Sequence, residues 1–142
     1  GDRKRSDVPI LVAEDSPMLE AMIQDALNRA GYTNLTIKAN GQEAWDVICT
    51  LKKNNGLQYG VQLLITDIEM PIMDGHHLVK LVREDDELKN LPIIIFSSLI
   101  NEDMKRKGER LGANAQVSKP EIGNLVHIID QLVGYDEEQT EE

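Results

Sequence analysis

Short apolar runs alternate five times with amphipathic stretches along the 142 residues, the rhythm of strand–helix units around a parallel sheet. The runs fall at 8–13, 35–39, 61–66, 92–96 and 115–118. Three of them are apolar almost throughout, as expected of strands covered by helices on both faces. Leu35-Thr36-Ile37-Lys38-Ala39 alternates instead, which predicts an edge strand.

Between the runs, Ser16-Pro17 offers an N-cap followed by a helix-compatible proline, and Leu19, Met22, Ile23, Ala26 and Leu27 follow at helical spacing up to Gly31. Asn40-Gly41 opens a second helix carrying Ala44, Val47, Ile48 and Leu51, which ends near Asn54-Asn55-Gly56. Asp74 opens a third, with Leu78, Leu81 and Val82 inward. Asn101 opens a fourth whose strong apolar positions are Met104 and Leu111, so it is predicted to be thinly anchored. A fifth spans 122–133, burying Leu125, Val126, Ile129 and Leu132 or Val133. The fold class is therefore α/β, a (βα)5 unit around a parallel sheet.

A hydrophobic content of 41% at this length suits one domain with one core. The net charge of -10 argues against a general attraction to nucleic acid or anionic lipid. Part of the acidic excess lies in Asp136-Glu137-Glu138-Gln139-Thr140-Glu141-Glu142, a solvated tail with nothing to bury. The organisation read from these shifts is a linker or cleaved stub at 1–7, a domain at 8–134 and an acidic tail at 135–142; the basic start carries no methionine. The single cysteine, Cys49, sits among Trp45, Val47, Ile48 and Leu51, which predicts a buried thiol. No apolar run is long enough to span a bilayer and no secretory signal is visible, so a soluble cytoplasmic protein is expected.

The candidate chemistry lies at strand ends. Asp67 closes the run Leu63-Leu64-Ile65-Thr66, Glu14 and Asp15 close the first run, and Lys119 follows the last. Open α/β sheets hold their ligands at the carboxyl ends of their strands. Three acids and one ammonium gathered there suit a divalent metal and a phosphoryl group. Magnesium (Mg2+) takes oxygen ligands and one or two protein carboxylates. Asp15 and Asp67 are its expected direct ligands, the backbone carbonyl of Glu69 a third, and Glu14 a water-mediated contact. Asp67 is then the nucleophile that attacks phosphorus to give an aspartyl phosphate. Lys119 is suited to pair with Asp67 and with a phosphoryl oxygen. Ser97, the first polar residue after Ile93-Ile94-Ile95-Phe96, offers a hydroxyl to the phosphoryl group. A cis peptide is plausible at Lys119-Pro120, where the chain must turn sharply. His76 and His77 are adjacent on a helix and point in different directions, so surface or partial burial is expected of them rather than a joint metal site.

These residues carry a resemblance. The acidic pair in Val12-Ala13-Glu14-Asp15-Ser16, the acceptor in Ile65-Thr66-Asp67-Ile68-Glu69-Met70-Pro71-Ile72-Met73-Asp74-Gly75, the hydroxyl in Phe96-Ser97-Ser98, and Lys119-Pro120 together make the chain look like a CheY-like receiver domain of two-component signalling, over 8–133. The resemblance implies a flavodoxin-like, five-stranded parallel sheet of order 2-1-3-4-5. It also implies that Asp67 takes a phosphoryl group from a CheA-like histidine kinase, with magnesium at Glu14, Asp15 and Asp67 and the phosphate held by Ser97 and Lys119. Hydrolysis would then reset a partner-binding face made of the fourth helix, fifth strand and fifth helix. One position departs from the family pattern: the aromatic switch residue three before Lys119 is Gln116, so no rotating ring can report phosphorylation. Glu69 and Leu99 occupy the positions that flank the attacking water. The segments 95–102 and 113–122 resemble the receiver half of CheV-type chemotaxis coupling proteins, where it follows a CheW-like domain that joins the chemoreceptor array.

Two rival readings differ in class. A haloacid-dehalogenase-type phosphatase also uses an aspartate after a strand, but it resembles Asp-x-Asp where this chain has Asp67-Ile68-Glu69. A phosphorylation-independent interaction domain would not need Asp67, Asp15 and Lys119 together.

Overall fold

The computed structural model describes residues 4–98, 100–119 and 121–135. Strands β1 (Ile10–Ala13), β2 (Leu35–Lys38), β3 (Leu63–Thr66), β4 (Ile93–Ser97) and β5 (Ala115–Ser118) form one parallel sheet in the order β2-β1-β3-β4-β5. Helices α1 (Pro17–Ala30), α2 (Gly41–Lys53), α3 (Leu57–Gly60), α4 (Gly75–Glu84), α5 (Glu102–Leu111) and α6 (Ile122–Val133) connect and cover it. The flavodoxin-like (βα)5 architecture is the one the sequence predicts.

The pleat of the strands sorts the core into two layers. Leu11, Ala13 and Leu64 face α2 and α4, where they meet Ala44, Ile48, Leu78, Val79 and Val82. Ile10, Val12, Leu63 and Ile65 face the opposite way, onto Ile23 and Leu27 of α1 and Leu125 and Ile129 of α6. Every residue of β1, β3 and β4 is buried, whereas β2 is half-buried along its length, as an edge strand should be. Four helices begin on the predicted caps: Ser16, Asn40, Asp74 and Asn101 each accept a backbone N–H from three residues on.

Several local expectations change. Cys49 is exposed, not buried: Ala44 and Ile48 hold the buried face of α2, and the next position turns away from it toward Asp46 and Lys52. Met22 is likewise exposed, because Ile23 and Leu27 take the inward stripe of α1. The one-turn helix α3 was not predicted; four residues give no periodicity to read, yet Leu57 packs on the core beside Leu51. The predicted cis bond at Lys119-Pro120 involves Pro120, which lies outside the described residues, as do Leu99 and the acidic tail at 136–142. Arg5, in the stretch expected to be linker, is fastened to the domain: its guanidinium forks onto Asp130 of α6, with Nε at 3.1 Å and Nη2 at 2.7 Å. It also donates to the Ala30 carbonyl at 2.9 Å and lies over the Tyr135 ring.

Candidate functional site

The site is built by register. Ala13 pairs with Thr66 across β1 and β3, so the next residues, Glu14 and Asp67, leave the sheet side by side. The Asp67 N–H donates to the Ala13 carbonyl at 3.0 Å, which fixes that alignment. Glu14, Asp15 and Asp67 bring one carboxylate oxygen each within 4.8 Å of one another. Asp67 is 7% exposed and Glu14 1%, whereas Asp15 is exposed at the rim. This is an all-oxygen, hard donor set with a solvent-facing side, and it fits a small divalent cation such as magnesium.

Lys119, at the end of β5, reaches across to both buried acids. Its Nζ lies 3.0 Å from Asp67 Oδ2 and 2.9 Å from Glu14 Oε1. Burial alone would lower its pKa, but the bonds to Glu14 and Asp67 win and hold it above the ordinary lysine value. Burial pushes the Glu14 carboxyl above the usual range, against the pull of Lys119 and the Ser16 N–H, with Asp67 adding repulsion. Two acids against one ammonium leave the pair undercompensated, which is the condition that favours a cation.

The rest of the frame holds Asp67 in place. Its Oδ1 accepts the Ile68 N–H at 2.7 Å, and the Thr66 hydroxyl donates to its carbonyl at 2.8 Å. Gly75 is needed here for space: a Cβ would stand 1.8 Å from the Asp67 carbonyl oxygen, and the Gly75 N–H donates to Ile68. Between them the loop makes a tight three-residue turn, Met73 N–H to the Pro71 carbonyl at 2.8 Å, with Ile72 at φ +71° and 80% exposed. Sequence reasoning missed the supporting parts played by Thr66, Ile72 and Gly75, since a backbone approach leaves no trace in polarity.

The other predicted residues fall around this centre. Ser97 is the last residue of β4 and buried, and its carbonyl accepts the Lys119 N–H at 3.2 Å, so the two are tied through the backbone. Glu69 is exposed and lines a cleft of about 570 Å³ with Asp15, Met70, His76, Met104 and Lys107. Gln116 does not join the acids. It turns to α5, where its Nε2 donates to the Lys105 carbonyl at 2.8 Å. His77 is exposed as expected, but His76 is buried at 5% exposure. Gly75 draws the start of α4 under the site, and that carries the adjacent imidazole inward, where it borders the cleft shared with Met104 and Lys107 of α5.

Comparison with known proteins agrees with this geometry. The response regulator receiver domain pattern matches residues 10–130. A chemotaxis protein CheY homolog of Campylobacter jejuni is 33% identical over 111 residues, 78% of this chain and 80% of that protein. Chemotaxis protein CheY1 of Helicobacter pylori is 32% identical over the same length, 78% and 84% of the two chains. Among solved structures, a putative response regulator from Chloroflexus aurantiacus superposes with a TM-score of 0.76 at 29% identity, covering 89% of this chain and 98% of the other. Vibrio cholerae CheY4 gives 0.73 at 26%, covering 88% and 98%. A sheet of order β2-β1-β3-β4-β5 with Glu14, Asp15, Asp67 and Lys119 gathered at its carboxyl edge, matched over residues 10–130, belongs to a response regulator receiver domain, the family of which this chain is a member.

Proposed function

We propose that this receiver domain is a phospho-accepting switch of a chemotaxis-type two-component relay, in which Asp67 takes a phosphoryl group from the phosphohistidine of a CheA-like kinase. The observation that carries the reading is the recessed Asp67 carboxylate, paired with Lys119 at 3.0 Å and grouped with Glu14 and Asp15.

In the transfer, one Asp67 carboxylate oxygen forms a bond to phosphorus as the donor's N–P bond breaks, and the electron pair returns to the donor imidazole, which takes up a proton. Lys119 is already oriented at the acceptor and offers its ammonium to a phosphoryl oxygen. Asp15 and Asp67, with the Glu69 carbonyl, would hold Mg2+, and Glu14 would reach it through water. Bound there, the ion neutralises phosphoryl charge. Ser97 and Lys119, tied by their backbone bond, would hold the phosphoryl group together. Water then hydrolyses the acyl phosphate and restores Asp67. The chemotaxis assignment is supported by the CheY relatives, and the CheV-type reading by the residues around Gln116; a CheW-like domain encoded upstream in the full-length gene would support the latter.

Acetyl phosphate with magnesium is expected to label the protein at one phosphate per chain and to leave Asp67→Ala unlabelled. Equal labelling of the two would overturn the assignment. Sustained turnover of a generic phosphate ester would favour the phosphatase reading instead.

A further inference from the structure

The seat of α5 is polar where a helix seat is ordinarily apolar. Outside the acid site, two buried side-chain atoms have no hydrogen-bond partner among the described residues, His76 Nε2 and Gln116 Oε1. Gln116 contacts α5 directly, and His76 borders a cleft that α5 also lines. Gln116 lies so close to the helix that a Cβ at Gly108 would stand 2.5 Å from its Oε1, and its Nε2 holds the Lys105 carbonyl. His76 comes from α4 and shares a cleft with Met104 and Lys107 of α5. The helix offers little in return: Gly108 is its one buried residue, and Met104 and Leu111 are partly buried.

We propose that α5 is a proton-released cover, in which protonation of His76 loosens the helix from α4 and uncovers the face beneath it without any phosphoryl transfer. A neutral imidazole fits this seat as a small, mostly apolar ring. An imidazolium does not, because it would place a desolvated charge with an unpaired N–H between two helices. Burial is the largest influence, and the surrounding charges divide: the Lys107 ammonium disfavours an imidazolium and the nearby carboxylates favour one. Burial lowers the His76 pKa first and the Lys107 ammonium on α5 lowers it further, while Asp74 at the start of α4 opposes them. Asp15 and Glu69 line the same cleft at its solvent side.

The sign follows from linkage. The closed state holds His76 below the ordinary imidazole value, and opening restores that value by returning the ring to water. Opening is therefore favoured as the pH falls below about 6.5, by at most a factor of ~10 per pH unit. At higher pH the effect is absent.

The test is amide hydrogen exchange of α5 between pH 7.5 and 5.5, corrected for intrinsic rates, on wild type and His76→Leu with magnesium present. In wild type the opening constant of residues 102–111 is expected to rise severalfold over this range, toward the limit of about tenfold. In His76→Leu it is expected to be smaller and flat, although exposed His77 and His127 remain. NMR titration of the wild-type His76 ring is the second readout and does not depend on the variant folding: it should titrate below the ordinary imidazole value of 6.5. An unchanged pH response in His76→Leu, or a His76 ring that titrates at or above 6.5, would overturn the proposal.

Discussion

Helices α4 and α5 are both ten residues long, pack against each other and flank the same cleft, yet α4 buries Gly75, His76, Leu78, Val79 and Val82 while α5 buries Gly108 alone. The difference divides the labour of the domain. Helix α4 is continuous with Asp67, since Gly75 sits against the Asp67 carbonyl and the Ile68 carbonyl takes its N–H, so moving α4 means moving that carboxylate. Helix α5 makes no hydrogen bond or ion pair with Glu14, Asp15 or Asp67 among the described residues, and its seat includes two unsatisfied polar atoms. Local opening free energies follow buried apolar contact. One helix therefore belongs to the rigid frame and the other to the responsive surface.

Glycine-to-alanine substitutions sharpen that contrast most. Gly75→Ala forces a Cβ to 1.8 Å from the Asp67 carbonyl oxygen, and a loss of at least ~3 kcal/mol, with failure to accept phosphate, is expected by denaturant unfolding and acetyl phosphate labelling. At Gly108→Ala the Cβ meets the end of the Gln116 side chain, while alanine gains up to ~1 kcal/mol of helix propensity. Global stability should change by less than about 1 kcal/mol, with the effect read in α5 exchange alone. Comparable global losses in the two variants would end the division proposed here.

Next in size is Lys119→Met, which leaves two buried carboxylates without their cation. A loss of about 2–3 kcal/mol is expected in magnesium-free buffer, part of it restored by magnesium, measured by urea unfolding with and without the ion. Glu14→Gln acts in the opposite direction. Because the Glu14 carboxyl is raised, its charged form is disfavoured in the fold: the penalty is full above the folded pKa and fades as the pH falls toward the unfolded value of 4.5. The variant should gain about 1 kcal/mol at pH 7 without magnesium, lose that advantage toward pH 4.5, and bind magnesium more weakly. The smallest effect is at Ile72. A β-branched residue at φ +71° is strained and, 80% exposed, recovers little by burial. Ile72→Asn should stabilise by roughly 1 kcal/mol in thermal unfolding.

The fold was legible because its signals are redundant. Three strands apolar on both faces, the caps Ser16, Asn40, Asp74 and Asn101, and Gly31 at the end of α1 each point to the same alternation. Asp67, Glu14, Asp15 and Lys119 were legible because polar residues directly after buried strands must emerge at one edge. What was not legible depends on angles and distances that a spacing rule does not carry. Cys49 and Ile48 are neighbours in sequence but lie a third of a turn apart, so one is exposed and the other buried. Position 76 looks polar by residue type and becomes interior because Gly75 lets α4 start so close to β3. The orientation of Gln116 toward α5 depends on a bare backbone at Gly108, eight positions earlier on another element.

The fork of Arg5 onto Asp130 has a consequence for access. It secures the entering polypeptide near the amino end of β1 and the last turns of α6, whereas Asp67 opens at the carboxyl end of the sheet. In the proposed relay a large phosphodonor would therefore meet the domain on the side opposite to where Arg5–Asp7 enter. The doorway stays clear of Arg5–Asp7, the described residues that lead into the sheet.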